Sequence, residues 1–460
     1  MEKEGKGGKL SIMSRFKFRL AVPQILALGY MGVILLGSFL LSLPISAKSG
    51  EWTPFINSLF TATSATCVTG LIAYDTFMHW TLFGQIVIIL LIQTGGLGFM
   101  TVVTLFSFAL GRRIGLYERI ILAQSAGAMG HAGVIRLVKR IIIFTFAVEL
   151  GGALLLMIRF IPEFGAGKGI WFSVFHSISA FCNAGFDLMG IKGEAFASLT
   201  SYSADPLVNL TICALIVIGG MGYVVWSDIW DKKFRYRKYR LHTRIVLWST
   251  LILVFLPALL LFAFEHDGVL KGMSSGESFL ACLFQSVTPR TAGFNTVPLG
   301  ELSESSLLLM DMLMLIGGNS GSTAGGIKVT TIVVILFGLY SSVRGEKDIV
   351  IGKRSLDLSL VKQAMSLFAI YLILTMAAVM TICALEPECT LSQVLFECCS
   401  AICTVGVTTG ITPTLSTGSK IILILLMYAG RVGVLTLAGA MMSKRKVSLT
   451  SRPHEKILIG

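Results

Sequence analysis

Four short segments of this chain end alike, and each lies between two apolar stretches. They are Thr66-Cys67-Val68-Thr69-Gly70, Phe181-Cys182-Asn183-Ala184-Gly185, Pro289-Arg290-Thr291-Ala292-Gly293 and Ile402-Cys403-Thr404-Val405-Gly406. The terminal glycines recur at intervals of 115, 108 and 113 residues. Ser64-Ala65, Ser179-Ala180 and Ser400-Ala401 precede the first, second and fourth segments in the same register. A Gly-ended loop used four times constrains the fold more than any single residue. It predicts four copies of one structural unit with their loops meeting around a common axis.

The surroundings of these loops are apolar. Hydrophobic residues make up 54% of the chain and charged residues 14%, against about 25% charged in a soluble domain. Runs near the 20 residues needed to cross a bilayer lie at 23–44, 83–110, 137–161, 205–230, 244–264, 362–385 and 418–443, with an interrupted eighth at 304–342. The net charge is +13, but most Lys and Arg fall in five blocks: 1–20, 111–140, 231–244, 343–362 and 444–460. Each pair of blocks brackets two spans. By the positive-inside rule all five are cytoplasmic, as are both termini, and the loop near 266–276 is external. The charge therefore reports topology and not nucleic-acid binding. The nine cysteines follow no metal spacing and the six histidines are scattered, so no catalytic centre is expected and the chain is not read as an enzyme.

Each unit reads as span, short helix, Gly-ended loop, span. The short pieces (53–65, 170–181, 275–288, 391–402) would be about 20 Å long as helices, too short for a hydrocarbon core of about 30 Å. They must enter and return, and the loops after them need protein or water to face. The expected fold is an all-α integral membrane protein: four parallel span–pore-helix–span repeats, eight transmembrane helices, around a pseudo-four-fold pore. The boundaries are 21–112, 113–231, 232–344 and 345–443, with cytoplasmic ends at 1–20 and 444–460.

A second glycine cluster follows in each repeat: Gly95-Gly96-Leu97-Gly98, Gly219-Gly220-Met221-Gly222, Gly317-Gly318-Asn319-Ser320-Gly321 and Gly430-Arg431-Val432-Gly433. Gly96 and Gly220 are expected to let helices approach closely. In the third repeat the cluster grows into Gly317-Gly318-Asn319-Ser320-Gly321-Ser322-Thr323-Ala324-Gly325-Gly326, which breaks the helix because each glycine costs about 1 kcal/mol relative to Ala. A polar loop below the filter is a candidate gate, with a static kink as the alternative. Arg431 is a charge at mid-membrane, a functional-site candidate by default. Its expected place is the pore axis beside the loop, the alternative being an ion pair with Asp311 or Glu149. Lys328 is expected to snorkel to the inner interface, and the Arg290 side chain to point away from the axis.

Carbonyls from four loops can replace the water shell of a potassium ion, and only glycine readily takes the positive φ needed at a crowded axis. The pore helices would add a carbonyl end that favours a cation. The hydroxyls of Thr69 and Thr404 are candidate auxiliary ligands. Potassium is thus the expected main substrate, and four unequal loops leave room for sodium leakage or coupling. A secondary transporter of a small solute is the alternative; it predicts inverted repeats and ionisable groups at mid-membrane.

At these residues the chain resembles the Trk/Ktr/HKT superfamily of potassium transporters, and within it the KtrB-type membrane subunits of bacterial Ktr uptake systems. The matching pieces are 60–71, 179–186, 291–295 and 316–328, with the tail 455–460. The resemblance implies a potassium-channel-like fold and a homodimer in a bacterial plasma membrane. It further implies a cytosolic RCK ring (KtrA-like) that binds ATP or ADP, while this chain itself binds no cofactor.

Overall fold

The structure is a computed structural model. It describes residues 21–98, 101–102, 104, 121–122, 133–233, 235–346, 348–351, 354–434 and 436–437. The basic ends 1–20 and 444–460, the tail 455–460 and most of the block at 111–140 lie outside the described residues.

The helices in chain order are α1 (Val22–Ser42), α2 (Phe55–Cys67), α3 (Leu82–Leu97), α4 (Val134–Phe164), α5 (Ala166–Phe181), α6 (Pro206–Gly220), α7 (Tyr223–Lys232), α8 (Leu241–Glu265), α9 (Ser275–Val287), α10 (Glu304–Leu315), α11 (Val329–Val343), α12 (Leu358–Leu385), α13 (Leu391–Ile402) and α14 (Thr417–Val432). Among the described residues four unbroken helices are long and apolar enough to cross a bilayer: α1, α4, α8 and α12. They are the first span of each repeat. The pore helices α2, α5, α9 and α13 follow them, and each ends at one of the Gly-ended loops.

The second spans are not continuous. The expected runs 83–110, 205–230 and 418–443 are interrupted at Gly98, Gly222 and Gly433, with φ of 83°, 92° and 88°. At the second of these α6 and α7 are bent by 92°. The break expected of the third repeat alone is thus common to all four, where Gly321 has φ 69°. Hydropathy runs on through these short glycine clusters and hides the break; a positive φ shows it. The connection 349–356, expected only as a cytoplasmic loop, carries a small hairpin, β1 (Ile349–Ile351) paired antiparallel with β2 (Arg354–Leu356).

Packing explains how the repeats close. Each first span packs on its own pore helix: α1 on α2, α4 on α5, α8 on α9, α12 on α13. Each second span then packs on the pore helix of the next repeat: α3 on α5, α6 on α9, α10 on α13, and α14 back on α2. Capping fixes the N-terminal ends of two pore helices. Ser274 with Glu277, and Thr390 with Gln393, form reciprocal boxes that satisfy otherwise orphaned N–H groups.

Candidate functional site

All twenty residues of the four filter segments are buried. In each loop the residue two before the glycine is left-handed: Val68 (φ 58°), Asn183 (59°), Thr291 (67°) and Thr404 (52°). The glycines follow at φ 104°, 69°, 86° and 96°. A left-handed valine is rare and costs of order 1–2 kcal/mol, so the surrounding packing over-determines this backbone. In three loops the mechanism is a shared pair of backbone bonds. Val68 N–H donates to Ala65 O and Thr69 N–H to Ser64 O, with the same pattern from Asn183 and Ala184 to Ala180 and Ser179, and from Thr404 and Val405 to Ala401 and Ser400. This is the Schellman ending of a helix. The third loop differs: Arg290 N–H bonds Val287 O and Ala292 N–H bonds Thr288 O. Ser64 and Ser400 also accept from the N–H of Gly70 and Gly406, at 3.0 Å each, whereas Val287 stands at the matching position of the third repeat.

The glycines form a ring in sequence order. A Cβ on Gly70 would lie 2.7 Å from Ala184 O; on Gly185, 2.8 Å from Ala292 O; on Gly293, 2.7 Å from Val405 O; on Gly406, 2.0 Å from Thr69 O. Each loop therefore places the carbonyl before its glycine against the glycine of the preceding loop. Thr69, Ala184, Ala292 and Val405 supply one carbonyl apiece to a single ring. Among the described residues the buried hydroxyls of Thr66, Thr69, Thr291 and Thr404 have no hydrogen-bond partner.

The second clusters support this ring from behind. A Cβ on Gly95, Gly219 or Gly430 would fall 2.1, 2.0 or 2.0 Å from the carbonyl oxygens of Thr66, Phe181 and Ile402. These carbonyls belong to the fourth residue before each filter glycine. In these three clusters the tightest approach belongs to the first glycine; Gly96 adds a contact with the Cys182 sulfur, whereas a Cβ on Gly220 would meet only Asn183 Nδ2, at 3.6 Å.

Residues 317–326 form a compact loop between α10 and α11, closed at its base by a parallel bridge from Ile316 to Ile327. Asn319 donates to Gly220 O from its backbone (3.1 Å) and its side chain (3.0 Å). Tyr223 N–H donates to Gly321 O at 2.8 Å. Thr323 Oγ1 lies 3.1 Å from Asn183 Oδ1 and 3.3 Å from Phe181 O. A Cβ on Gly325 would overlap the Thr404 hydroxyl at 1.8 Å. The loop thus lies directly against filter segments two and four. Arg431 donates to Thr323 O and to Gly95 O and to neither Glu149 nor Asp311. Glu149 instead accepts from Gln93 at 3.1 and 3.2 Å. Lys328 does not snorkel: its Nζ curls back to Ala324 O (2.7 Å) and Gly325 O (3.0 Å). A cavity of about 280 Å³ is lined by Ser320, Gly321, Ser322, Ala324, Lys328 and Arg431 together with Gly96 and Tyr223. The Arg290 guanidinium turns toward Thr250 on α8, at 3.4 Å.

Two pore-helix residues not singled out as site residues hold the connections that follow the filter loops. His176 Nε2 accepts from Leu188 N–H at 3.3 Å while Nδ1 bonds Phe172 O at 2.8 Å. The Glu397 carboxylate accepts from Thr408 and Thr412. Both stand nine residues before the filter glycine, where the other repeats have Thr61 and Phe284. Only alignment on the glycines brings these positions together.

The family model described as TrkH, cation transport protein, matches residues 33–446. The Ktr system potassium uptake protein B of Bacillus subtilis is 42% identical over 421 residues, 91% of this chain and 92% of that protein. The potassium/sodium uptake protein NtpJ of Enterococcus hirae is 39% identical over 453 residues, 97% and 99% of the two chains. The crystal structure of the potassium transporter TrkH from Vibrio parahaemolyticus superposes with a TM-score of 0.74 at 18% identity, covering 93% of this chain and 86% of that one.

Proposed function

This chain belongs to the TrkH family of cation transport proteins and is a multi-pass membrane cation-uptake transporter, and we propose that it conducts potassium into a bacterial cell through the ring of four loops. One observation carries the reading: the carbonyls of Thr69, Ala184, Ala292 and Val405 each lie against the filter glycine of the neighbouring loop, and the four contacts close a circle. Backbone oxygens in that arrangement replace a hydration shell without introducing a fixed charge. The loop 317–326 and Arg431 act as the gate on the inner side of the filter. A guanidinium in the ion path raises the barrier to a cation, and it is weakly screened there. Relatives named for potassium and for potassium/sodium uptake support potassium as substrate with sodium as a second or coupling ion.

Both termini and the basic connections face the cytoplasm in this reading. The functional unit is a homodimer whose inner face receives a cytosolic RCK ring, with ATP or ADP bound to that partner. The Ktr naming of the relatives and the density of Lys and Arg at 231–244 and 343–362 support this part. Tracer uptake into proteoliposomes is the test. Potassium uptake should saturate, and adding sodium should change its rate. Failure to take up potassium over other monovalent cations would remove the reading.

A further inference from the structure

The 92° bend after α6 swings α7 against α4 and leaves a groove between them. One wall is the α4 face Leu137, Ile141, Phe144 and Ala147; the other is Tyr223, Trp226 and Trp230 of α7. The groove has a volume of about 280 Å³. The Phe144 and Trp226 rings pack at 5.1 Å along it, and Trp230 is 74% exposed at its rim. Leu137 to Ala147 spans ten residues, a rise of about 15 Å. That matches half of a hydrocarbon core about 30 Å thick, so the apolar part runs the depth of one leaflet.

Charge marks the rim. Arg140 stands there, 44% exposed, in an ion pair with Asp231 that is itself 53% exposed. Such an exposed pair is weak, so an incoming anion competes with Asp231. Arg136 and Lys139 lie within one turn of it on α4, and Lys232, Lys233 and Arg235 follow at the end of α7, where they outnumber Asp228 and Asp231.

We propose that this groove is a binding site for an anionic phospholipid of the leaflet on the basic side, with an acyl chain lying along the packed Phe144 and Trp226 rings and the phosphate at Arg140. Calling that leaflet cytoplasmic rests on the proposed function; the site itself does not. Tyr223 and Ile141 line both this groove and the cavity under the loop 317–326. Tyr223 N–H also holds Gly321 O, so the acyl chain presses on a residue that anchors the loop. Lipid is thereby coupled to the loop across a wall one side chain thick.

Native mass spectrometry of the detergent-solubilised full chain tests the site without any reference to transport. Titration with dioleoyl phosphatidylglycerol should show one retained lipid per protomer. It should be preferred over dioleoyl phosphatidylcholine by about fivefold, which is what one basic side chain near an anionic headgroup supplies. Arg140→Gln should erase the preference while both lipids still bind. Ala147→Phe fills the groove and should remove retention of both. Trp226→Ala, which deletes one wall, should weaken both and stands in if Ala147→Phe melts below the parent. Equal retention of the two lipids by the parent protein, undiminished retention in the groove variants, or a lipid-free dimer with a second copy seated on this face would each overturn the proposal.

Discussion

Arg431 and Thr323 stand 108 residues apart and are joined by a hydrogen bond from guanidinium to carbonyl. A second bond from the same guanidinium reaches Gly95 O, so one side chain ties the fourth repeat to the loop of the third and the helix of the first. Removing it should free the loop and delete a positive charge from the proposed ion path. Arg431→Ala is therefore expected to raise potassium flux several-fold in proteoliposomes. Deleting 321–325 should act in the same direction. The double variant should gain less than the sum, because both changes open one constriction. A well-folded Arg431→Ala protein with unchanged or lower flux would dismiss the gate.

The filter glycines should not be equivalent. A Cβ on Gly406 would approach Thr69 O to 2.0 Å, while those on the other three would stop at 2.7 or 2.8 Å from their carbonyls. All four Ala variants should lose discrimination of potassium from sodium, with Gly406→Ala losing most. Measured permeability ratios that leave Gly406→Ala the mildest of the four would contradict the ring.

The glycines behind the filter predict a fold effect instead. Gly219→Ala and Gly430→Ala push a methyl group to 2.0 Å from a backbone carbonyl, and such overpacking typically costs about 1–3 kcal/mol. Gly151→Ala has nothing within 4 Å and should be neutral or slightly stabilising in its helix. Thermal unfolding in detergent separates the two classes. Equal melting temperatures for all three variants would refute the close approach.

Asp187 lies two residues beyond Gly185 in the connection between α5 and α6, 7% exposed. Burial, and then the negative charge of Asp75, push its carboxyl up to about 7, while the Met189 N–H opposes the shift. An acid whose folded pKa is raised holds its proton more tightly folded than unfolded. Its stabilising contribution is complete below the unfolded value near 4 and is lost as pH rises through about 7. Asp187→Asn should therefore melt progressively higher relative to the parent between pH 5 and pH 8. A gap that narrows as pH rises would reverse the assignment.

The four-fold plan was legible because glycine is chemically singular at the axis, and the spacing of Gly70, Gly185, Gly293 and Gly406 carried it. The left-handed residue two positions earlier was not legible. Val68, Asn183, Thr291 and Thr404 share no side-chain chemistry, and their conformation is imposed by the helix ending beneath them. Hydropathy likewise concealed the breaks at Gly98 and Gly433, since a cluster of two or three glycines barely dents a long apolar run. Lys328 defeated the snorkelling rule because two loop carbonyls, Ala324 and Gly325, lie nearer its ammonium than the interface does.

The circular packing of α14 back onto α2 has a consequence for biogenesis. A chain made from its N-terminus inserts three repeats before the fourth exists, and until then Gly70 and Thr69 face an open side. Gly406 and α14 complete the circle only when synthesis is nearly over. Truncation within the fourth repeat therefore leaves three polar loops exposed at membrane depth, where unsatisfied backbone is costly. Such a fragment is expected to fold poorly and to conduct nothing.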